Sequence, residues 1–337
     1  DFVFHKLRPI IFSSDAETAH ERMLSSVEMI SKFPGLIPFL RWQFREESSV
    51  LNTNLFGIKV NNPIGLAAGF DKDGRIYPSL FALGFGFVEI GTVTPLPQSG
   101  NSKPRIFRLL DDHALVNHLG FNSQGIQKMS EKLDLRSKVY SLEKSEKIKK
   151  YFEKQEKFSS CMLGINIGKN RDTSLKKARE DYMSVLSALH PFADYFTINI
   201  SSPNTEGLRK LQEKQMLREL LESVCSQREK LDQNNILQTP LLLKLSPDLD
   251  DKGLQNCTEI IKEYPIQGVI ATNTTFDRQQ LKSSHKIEQG GISGKPIKER
   301  STEVVRTLFQ ELGNEMTIIG TGGVFSGADA YEKIRAG

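Results

Sequence analysis

A run of small polar residues after a β-branched segment is the strongest chemical signal in the sequence. Residues 198–205 read Ile-Asn-Ile-Ser-Ser-Pro-Asn-Thr and pass directly from strand-forming residues to amides and hydroxyls. A buried amide or hydroxyl without a partner costs about 1–3 kcal/mol. We therefore expect a polar ligand against this strand end; the alternative is a plain Ser-Pro-Asn turn.

Other apolar segments end in polar residues too, and amphipathic helical patterns separate them. Continuous apolar runs suit parallel strands that are buried on both faces, and their repetition favours an α/β fold of the (β/α)8 TIM barrel type over a doubly wound sheet. We predict strands at 64–68, 87–93, 162–167, 195–200, 241–245, 269–274 and 317–320. The eighth strand is missing before Gly337, so we expect the natural chain to continue.

The polar residues at these strand ends are expected to meet on one face of the barrel. They are Lys72, Thr92, Asn166, Asn199, Lys244, Asn273, Gly322 and Gly323. Barrel enzymes carry their active sites at the carboxyl ends of the strands. The pattern therefore predicts one shared site.

Two glycine-rich stretches, 290–294 and 320–323, follow the sixth and seventh predicted strands. Backbone N–H groups in glycine turns can approach a phosphate closely, so we predict a phosphorylated ligand there. Lys72 can neutralise an anionic substrate. His118 is interpreted as a surface or structural residue rather than an acid or base.

The sequence offers few routes to covalent catalysis. No Ser-His-Asp or Cys-His set accompanies Ser202, so hydrolysis through an activated nucleophile is poorly supported. Proton transfer coupled to a cofactor fits better. Lys244 on a barrel strand leaves a Schiff-base aldolase as an alternative, and a non-catalytic barrel that docks to a membrane is another.

Composition excludes several classes of protein. A net charge of +4 over 337 residues, without a basic run, does not indicate nucleic acid binding. Cys161, Cys225 and Cys257 lie far apart and lack metal-ligand spacing. The sequence contains no run of eighteen apolar residues, so no segment of it is predicted to span a membrane.

Two regions differ from the barrel pattern of residues 46–337. Residues 1–45 predict a helical hairpin, with a capping box at Ser14-Asp-Ala-Glu17 and an apolar stripe through Ala19, Met23 and Val27. A Lys/Glu-rich insertion at about 141–158 is expected to be a solvated helix or flexible segment.

Together these motifs closely resemble the membrane-associated, quinone-dependent class of dihydroorotate dehydrogenases. The resemblance runs from about Phe2 to Gly337. It rests on Ala67-Ala-Gly-Phe-Asp-Lys72, Phe85-Gly-Phe-Val-Glu-Ile-Gly-Thr-Val-Thr-Pro95, Pro104-Arg-Ile-Phe-Arg108, Gly120-Phe-Asn-Ser123, Asn199-Ile-Ser-Ser-Pro-Asn-Thr205, Thr272-Asn-Thr-Thr275 and Gly290-Gly-Ile-Ser-Gly-Lys-Pro296.

The resemblance implies oxidation of dihydroorotate to orotate in pyrimidine biosynthesis, with FMN as cofactor and ubiquinone as final acceptor. Ser202 lies where that class carries its base, and soluble relatives have cysteine there. Ser202 would take the C5 proton as a hydride leaves C6, with a relay through water or a hydroxyl such as that of Thr205.

The resemblance also assigns the remaining site residues. The implied substrate-binding residues are Lys72, Asn117, Phe121, Asn199, Asn204, Asn273 and Thr274. The implied FMN-binding residues are Ala68, Thr92, Asn166, Asn199, Lys244, Thr272, Ser293, Gly294, Gly322 and Gly323. The implied quinone path is lined by Ala19, His20, Met23, Val27 and Arg108.

Two departures from the family pattern are Leu119, where a tyrosine is common, and the missing eighth-strand motif. The resemblance further implies a monomer, contact of the hairpin with a membrane surface, and a location at the mitochondrial inner membrane.

Overall fold

The computed structural model describes residues 6, 8–9, 11–33, 35–46, 48–142, 161–233, 235 and 238–337. The predicted insertion at 141–158 falls, beyond residue 142, outside the described residues. The helices are α1 Ala16–Ile30, α2 Leu36–Phe44, α3 Tyr77–Ala82, α4 Gly125–Leu142, α5 Ala178–Leu189, α6 Lys214–Leu231, α7 Asp251–Glu263, α8 Lys298–Leu312 and α9 Gly327–Ala336. The strands are β1 Thr53–Leu55, β2 Ile58–Val60, β3 Gly65–Leu66, β4 Phe87–Val93, β5 Ile106–Leu109, β6 Ala114–Asn117, β7 Met162–Ile167, β8 Tyr195–Asn199, β9 Leu241–Leu245, β10 Gly268–Ala271, β11 Gly291–Gly294 and β12 Thr317–Gly320.

The main sheet is parallel, and within the described residues it has seven strands in the order β12-β10-β9-β8-β7-β4-β3. All seven coincide with predicted strands, although three differ at their ends. The strand predicted at 269–274 is β10 and stops at Ala271, so Asn273 lies in the following loop. The sheet curls as in a TIM barrel, and the predicted fold class is confirmed.

Helices cover the outer face of the sheet because their apolar residues recur at helical spacing. On α6, the buried positions Leu217, Leu220, Leu221 and Val224 form one stripe. Strands β4, β7, β8, β9 and β10 are buried along their whole length. This double coverage explains why the strands read as continuous apolar runs.

Two small sheets close the ends of the barrel. The antiparallel hairpin of β1 and β2 places Leu55 and Val60 against inward residues from the amino ends of the strands, among them Phe87 and Tyr195. At the other end, β11, β6 and β5 form an antiparallel sheet. The stretch predicted as a glycine-rich turn at 290–294 is therefore mostly a strand, because β11 pairs with β6 from Gly291↔Asn117 to Gly294↔Ala114.

Helices α1 and α2 occupy the stretch that was predicted as a helical hairpin. The N-cap of α1 is Asp15 rather than Ser14, since the Asp15 side chain accepts a hydrogen bond from Thr18 N at 2.9 Å. The buried pair of Glu17 and Arg105, 2.8 Å apart, ties α1 to the segment before β5.

Candidate active site

A cavity of about 520 Å³ opens at the carboxyl ends of the barrel strands, between them, α1 and the small sheet of β5, β6 and β11. Its wall includes the base predicted from the resemblance, Ser202, and all seven predicted substrate-binding residues. The predicted cofactor residues in the wall are Ala68, Thr92, Asn199, Lys244, Thr272, Ser293 and Gly322.

A chain of hydrogen bonds forms the floor of the cavity. It begins at Glu89 on β4, which is 3% exposed. Glu89 Oε1 accepts a hydrogen bond from Asn166 Nδ2 at 2.8 Å, and Oε2 accepts one from Thr197 Oγ1 at 2.6 Å. Because the Asn166 amide donates to Glu89, its Oδ1 is left as an acceptor for the next residues of the chain.

The same order of donors and acceptors continues to the strand ends. Asn166 Oδ1 accepts hydrogen bonds from Thr92 Oγ1 at 2.5 Å and from Asn199 Nδ2 at 3.0 Å. Asn199 Oδ1 accepts one from Asn273 Nδ2 at 3.2 Å, which also donates to Ser201 Oγ at 3.0 Å. A buried network in which donors meet acceptors holds its side chains in one geometry.

Ser202 lies directly beyond this network and is 6% exposed. Its Oγ accepts a hydrogen bond from Asn204 N at 3.3 Å. The Asn204 amide donates to Asn117 Oδ1 at 2.9 Å, and Asn101 Nδ2 donates to the Asn204 carbonyl at 3.2 Å. The loop that carries Ser202 is thus fixed to neighbouring walls of the cavity.

Two lysines face the same space. Lys72 follows β3 and Lys244 lies on β9, where it is 6% exposed. Neither makes a hydrogen bond or an ion pair within the described residues. Burial, with repulsion by Arg105 as the next cause, lowers the pKa of Lys72 to about 8. Both side chains are placed to meet an anionic or electron-rich ligand.

Several buried polar atoms have no hydrogen-bond partner among the described residues. They include the hydroxyl oxygens of Thr205, Thr272 and Thr274 and the Oδ1 atom of Asn204. Buried polar groups in native proteins are nearly always hydrogen bonded. Since Thr272, Thr274 and Asn204 line the cavity, a polar ligand is the simplest partner for them.

The glycine segment after β12 approaches other backbone closely. Gly322 and Gly323 have φ angles of +111° and +70°, which favour glycine. A Cβ atom at Gly323 would lie 2.6 Å from Lys298 Cα. Gly323 itself does not line the cavity, and neither do Gly294 and Asn166, which support residues that do.

Helix α1 closes the far side of the cavity. His20 Nε2 lies 2.9 Å from the Phe70 carbonyl oxygen, and Arg108 donates a hydrogen bond to the Ser14 carbonyl at 2.8 Å. Both His20 and Arg108 line the cavity. The other predicted quinone-path residues, Ala19, Met23 and Val27, do not; Met23 and Val27 pack against the main core instead.

Sequence reasoning missed the residues behind the wall. Glu89 and Thr197 organise the floor, and Arg105 joins α1 to the cavity loops. A charged residue inside the apolar run Phe87-Val-Glu-Ile-Gly91 was the available signal for Glu89. Among the described residues, no group of three or more His, Cys, Asp or Glu side chains can hold a metal ion.

The fold and the cavity are those of a (β/α)-barrel enzyme with its site at the carboxyl ends of the strands. A family model described as dihydroorotate dehydrogenase matches residues 50–337. The dihydroorotate dehydrogenase (quinone) of Christiangramia forsetii is 42% identical over 331 residues, 98% of this chain and 90% of the relative. That of Stenotrophomonas maltophilia is 41% identical, covering 98% and 87%. The crystal structure of DHODH in complex with ferulenol from Eimeria tenella has a TM-score of 0.84 at 36% identity, covering 96% of this chain and 84% of that one.

The chain therefore belongs to the dihydroorotate dehydrogenase family, and its relatives place it in the quinone-dependent class. The predicted family and enzyme class are confirmed. The aldolase and the non-catalytic barrel find no support in these comparisons.

The predicted mitochondrial location is wrong. The curated relatives named above are bacterial, and bacteria have no mitochondria. Across the part of the chain that the structure describes, none of the helices is both long and apolar enough to cross a membrane.

Proposed function

We propose that the protein oxidises dihydroorotate to orotate with FMN as cofactor, Ser202 as base and a quinone, ubiquinone by the resemblance, as final electron acceptor. The observation that carries the proposal is the convergence of Ser202, Lys72 and a set of amides on one cavity in a member of this family. FMN, when bound, supplies the acceptor for the hydride.

The residues of the cavity fit FMN. Thr272 Oγ1 is buried without a partner among the described residues, and the Lys244 side chain lines the same cavity. Ser293 and Gly322 add small polar positions where a phosphate can approach backbone. With the other predicted cofactor residues, Ala68, Thr92, Asn166, Asn199, Gly294 and Gly323, they would hold the cofactor.

The substrate would be held by charge and by amides. A carboxylate is matched by the Lys72 ammonium, which is cationic below its pKa of about 8. Asn117, Asn204 and Asn273 present amide groups that suit the C=O and N–H edges of a pyrimidine ring. Asn199, Phe121 and Thr274 would complete this set.

Ser202 would remove the proton from C5 of the substrate. A serine hydroxyl is a weak base, so the proton must pass onward as it arrives. Thr205 Oγ1 is buried, lacks a partner among the described residues and lies three residues further on. We assign it, or a water beside it, the next position in this relay.

The α1 side of the cavity would admit the quinone. His20 and Arg108 line the cavity there, and Ala19, Met23 and Val27 would support that helix. Exposed aromatic residues on and before α2, Phe33, Phe39 and Trp42, offer an apolar face that suits a membrane surface. On this proposal the protein acts as a monomer at a membrane.

An anaerobic visible spectrum tests the proposal directly. The purified full chain is measured before and after dihydroorotate is added. We expect flavin bands that bleach on addition. Bands that persist would overturn the assignment of dihydroorotate as substrate, and a colourless protein would overturn the assignment of FMN as cofactor.

A further inference from the structure

Arg209 joins the loops that follow three adjacent strands. It lies in the short 3-10 helix Leu208–Gln212 after β8 and its side chain is 22% exposed. Arg209 Nε donates a hydrogen bond to the Ser201 carbonyl at 3.1 Å, and Nη2 donates one to the Thr274 carbonyl at 3.0 Å. Nη1 donates to Asp248 Oδ2 at 2.7 Å.

The three acceptors belong to different parts of the barrel rim. Ser201 follows β8, Asp248 follows β9 and Thr274 follows β10, and these strands are consecutive in the sheet. Ser201 immediately precedes Ser202, and Thr274 lines the cavity. One guanidinium group therefore fixes the backbone on both sides of the β9 loop.

Further contacts hold this arrangement rigid. Asp248 accepts hydrogen bonds from Thr275 Oγ1 and, at 3.0 Å, from Phe276 N, so the carboxylate is itself tied to the loop after β10. The Arg209 guanidinium carbon lies 4.7 Å from the centroid of the Phe276 ring. A planar guanidinium can serve three acceptors in fixed directions and stack on a ring, whereas an ammonium cannot.

We propose that Arg209 is a positioning residue for the reaction, which sets the placement of Ser202 relative to Thr274 without touching the substrate. This inference rests on the proposed function. A displacement of about 1 Å of a reacting group can slow a reaction by about 10²-fold. Loss of the guanidinium should therefore slow proton removal even where the protein remains folded.

The test compares Arg209→Lys with Arg218→Lys in the FMN-loaded full chain. Arg218 makes an ion pair with Glu263 on the outer helices and does not line the cavity. Three quantities are measured: the limiting rate of anaerobic flavin reduction at saturating dihydroorotate, the dissociation constant of orotate by calorimetry, and the melting temperature. For R209K we expect a limiting rate about 10- to 100-fold lower, and for R218K one that is unchanged.

A purely structural Arg209 would lower the melting temperature and leave the limiting rate of R209K as it is, which would overturn the inference. If R209K is insoluble, Arg209→Gln is measured instead: it cannot reach both the Ser201 and the Thr274 carbonyl groups, so an unchanged limiting rate would also overturn the inference. If the unsubstituted flavoprotein is not reduced by dihydroorotate, the proposed function itself fails. If R209K is reduced as fast as the unsubstituted protein, only the role of Arg209 is overturned, and the proposed function stands.

Discussion

The floor of the cavity is held by buried hydrogen bonds, whereas part of its α1 side is held by exposed ion pairs. On the floor, Glu89, Asn166 and Asn199 are at most 4% exposed, and each is fixed by hydrogen bonds with a defined donor and acceptor. On the α1 side, Glu21 and Glu28 pair with Arg75 and are 55% and 37% exposed. Exposed ion pairs contribute little and are screened by salt.

This difference separates two tasks. Proton removal needs groups held within fractions of an ångström, and a satisfied buried network provides that. The first turn of α1 is fixed by the buried pair of Glu17 and Arg105, whereas its later turns are held by the exposed ion pairs with Arg75. An apolar electron acceptor needs a wall that it can enter and leave, and those later turns suit that need. Substitutions at Ser202, Glu89, Lys72 and His20 test whether the two sides of the cavity act separately.

Among these substitutions, Ser202→Ala should have the largest effect on the rate of proton removal at the floor of the cavity. Loss of a general base typically slows a reaction by about 10²–10⁴-fold, so flavin reduction by dihydroorotate should slow by that factor while FMN stays bound. Stopped-flow absorbance measures the rate. Ser223→Ala on the outer face of α6 is the matched control, and near-normal reduction in S202A would refute the role of Ser202.

Glu89→Leu should show that the floor network also stabilises the fold. The substitution leaves Asn166 Nδ2 and Thr197 Oγ1 without their acceptor. At about 1–3 kcal/mol for each of these two unsatisfied buried groups, we expect the free energy of unfolding to fall by about 2–6 kcal/mol. Urea unfolding measures this, and Glu89→Gln, which keeps one acceptor, should lose less. Equal losses would mean that the charge of the carboxylate, rather than the number of its hydrogen-bond acceptors, matters at Glu89.

Affinity for orotate should depend on the charge of Lys72. Its pKa is lowered to about 8, so the ammonium is present below that pH and is lost as the pH rises through it. The dissociation constant of orotate should be flat below pH 8 and rise about tenfold per pH unit above it. Titrations in Lys72→Met should lack this rise, because the variant has no ammonium group at this position. The variant keeps all other titrating groups, so the comparison isolates Lys72. A slope that persists in K72M would assign the effect elsewhere.

His20→Ala should have the smallest effect and act on one half of the reaction. We expect quinone turnover to fall by up to about tenfold, the range for a loss of roughly 1 kcal/mol of contact, while anaerobic reduction by dihydroorotate is unchanged. Arg108→Gln should behave in the same way. His285→Ala, an exposed histidine at the small sheet, is the control. Equal damage to both half-reactions would contradict the division of the cavity into two sides.

Local pattern predicted the barrel well. The seven parallel strands were readable because each is an apolar run between amphipathic helices. Lys72, Asn199 and Lys244 were readable as site residues because polar groups at strand ends must meet. The particular roles of these residues came from the family resemblance rather than from spacing.

Features that depend on distant pairing were not predictable. The stretch Gly290–Gly294 reads as a turn, and it becomes a strand because β6 lies beside it. Arg209 lies in Leu208-Arg-Lys-Leu-Gln212, where nothing in the local sequence marks it as a site residue. The role proposed for it arises from carbonyl groups on loops that are 8 and 65 residues away in sequence.

The pairing of β11 with β6 also bears on how the chain folds. The Asn117 side chain bonds to the Gly291 carbonyl across 174 residues, and such distant contacts pay their loop-closure entropy late in folding. The barrel must bring these segments together before the small sheet can form. We expect amides 291–294 to gain protection last in pulsed hydrogen exchange during refolding, so that the mouth of the cavity takes shape after its floor.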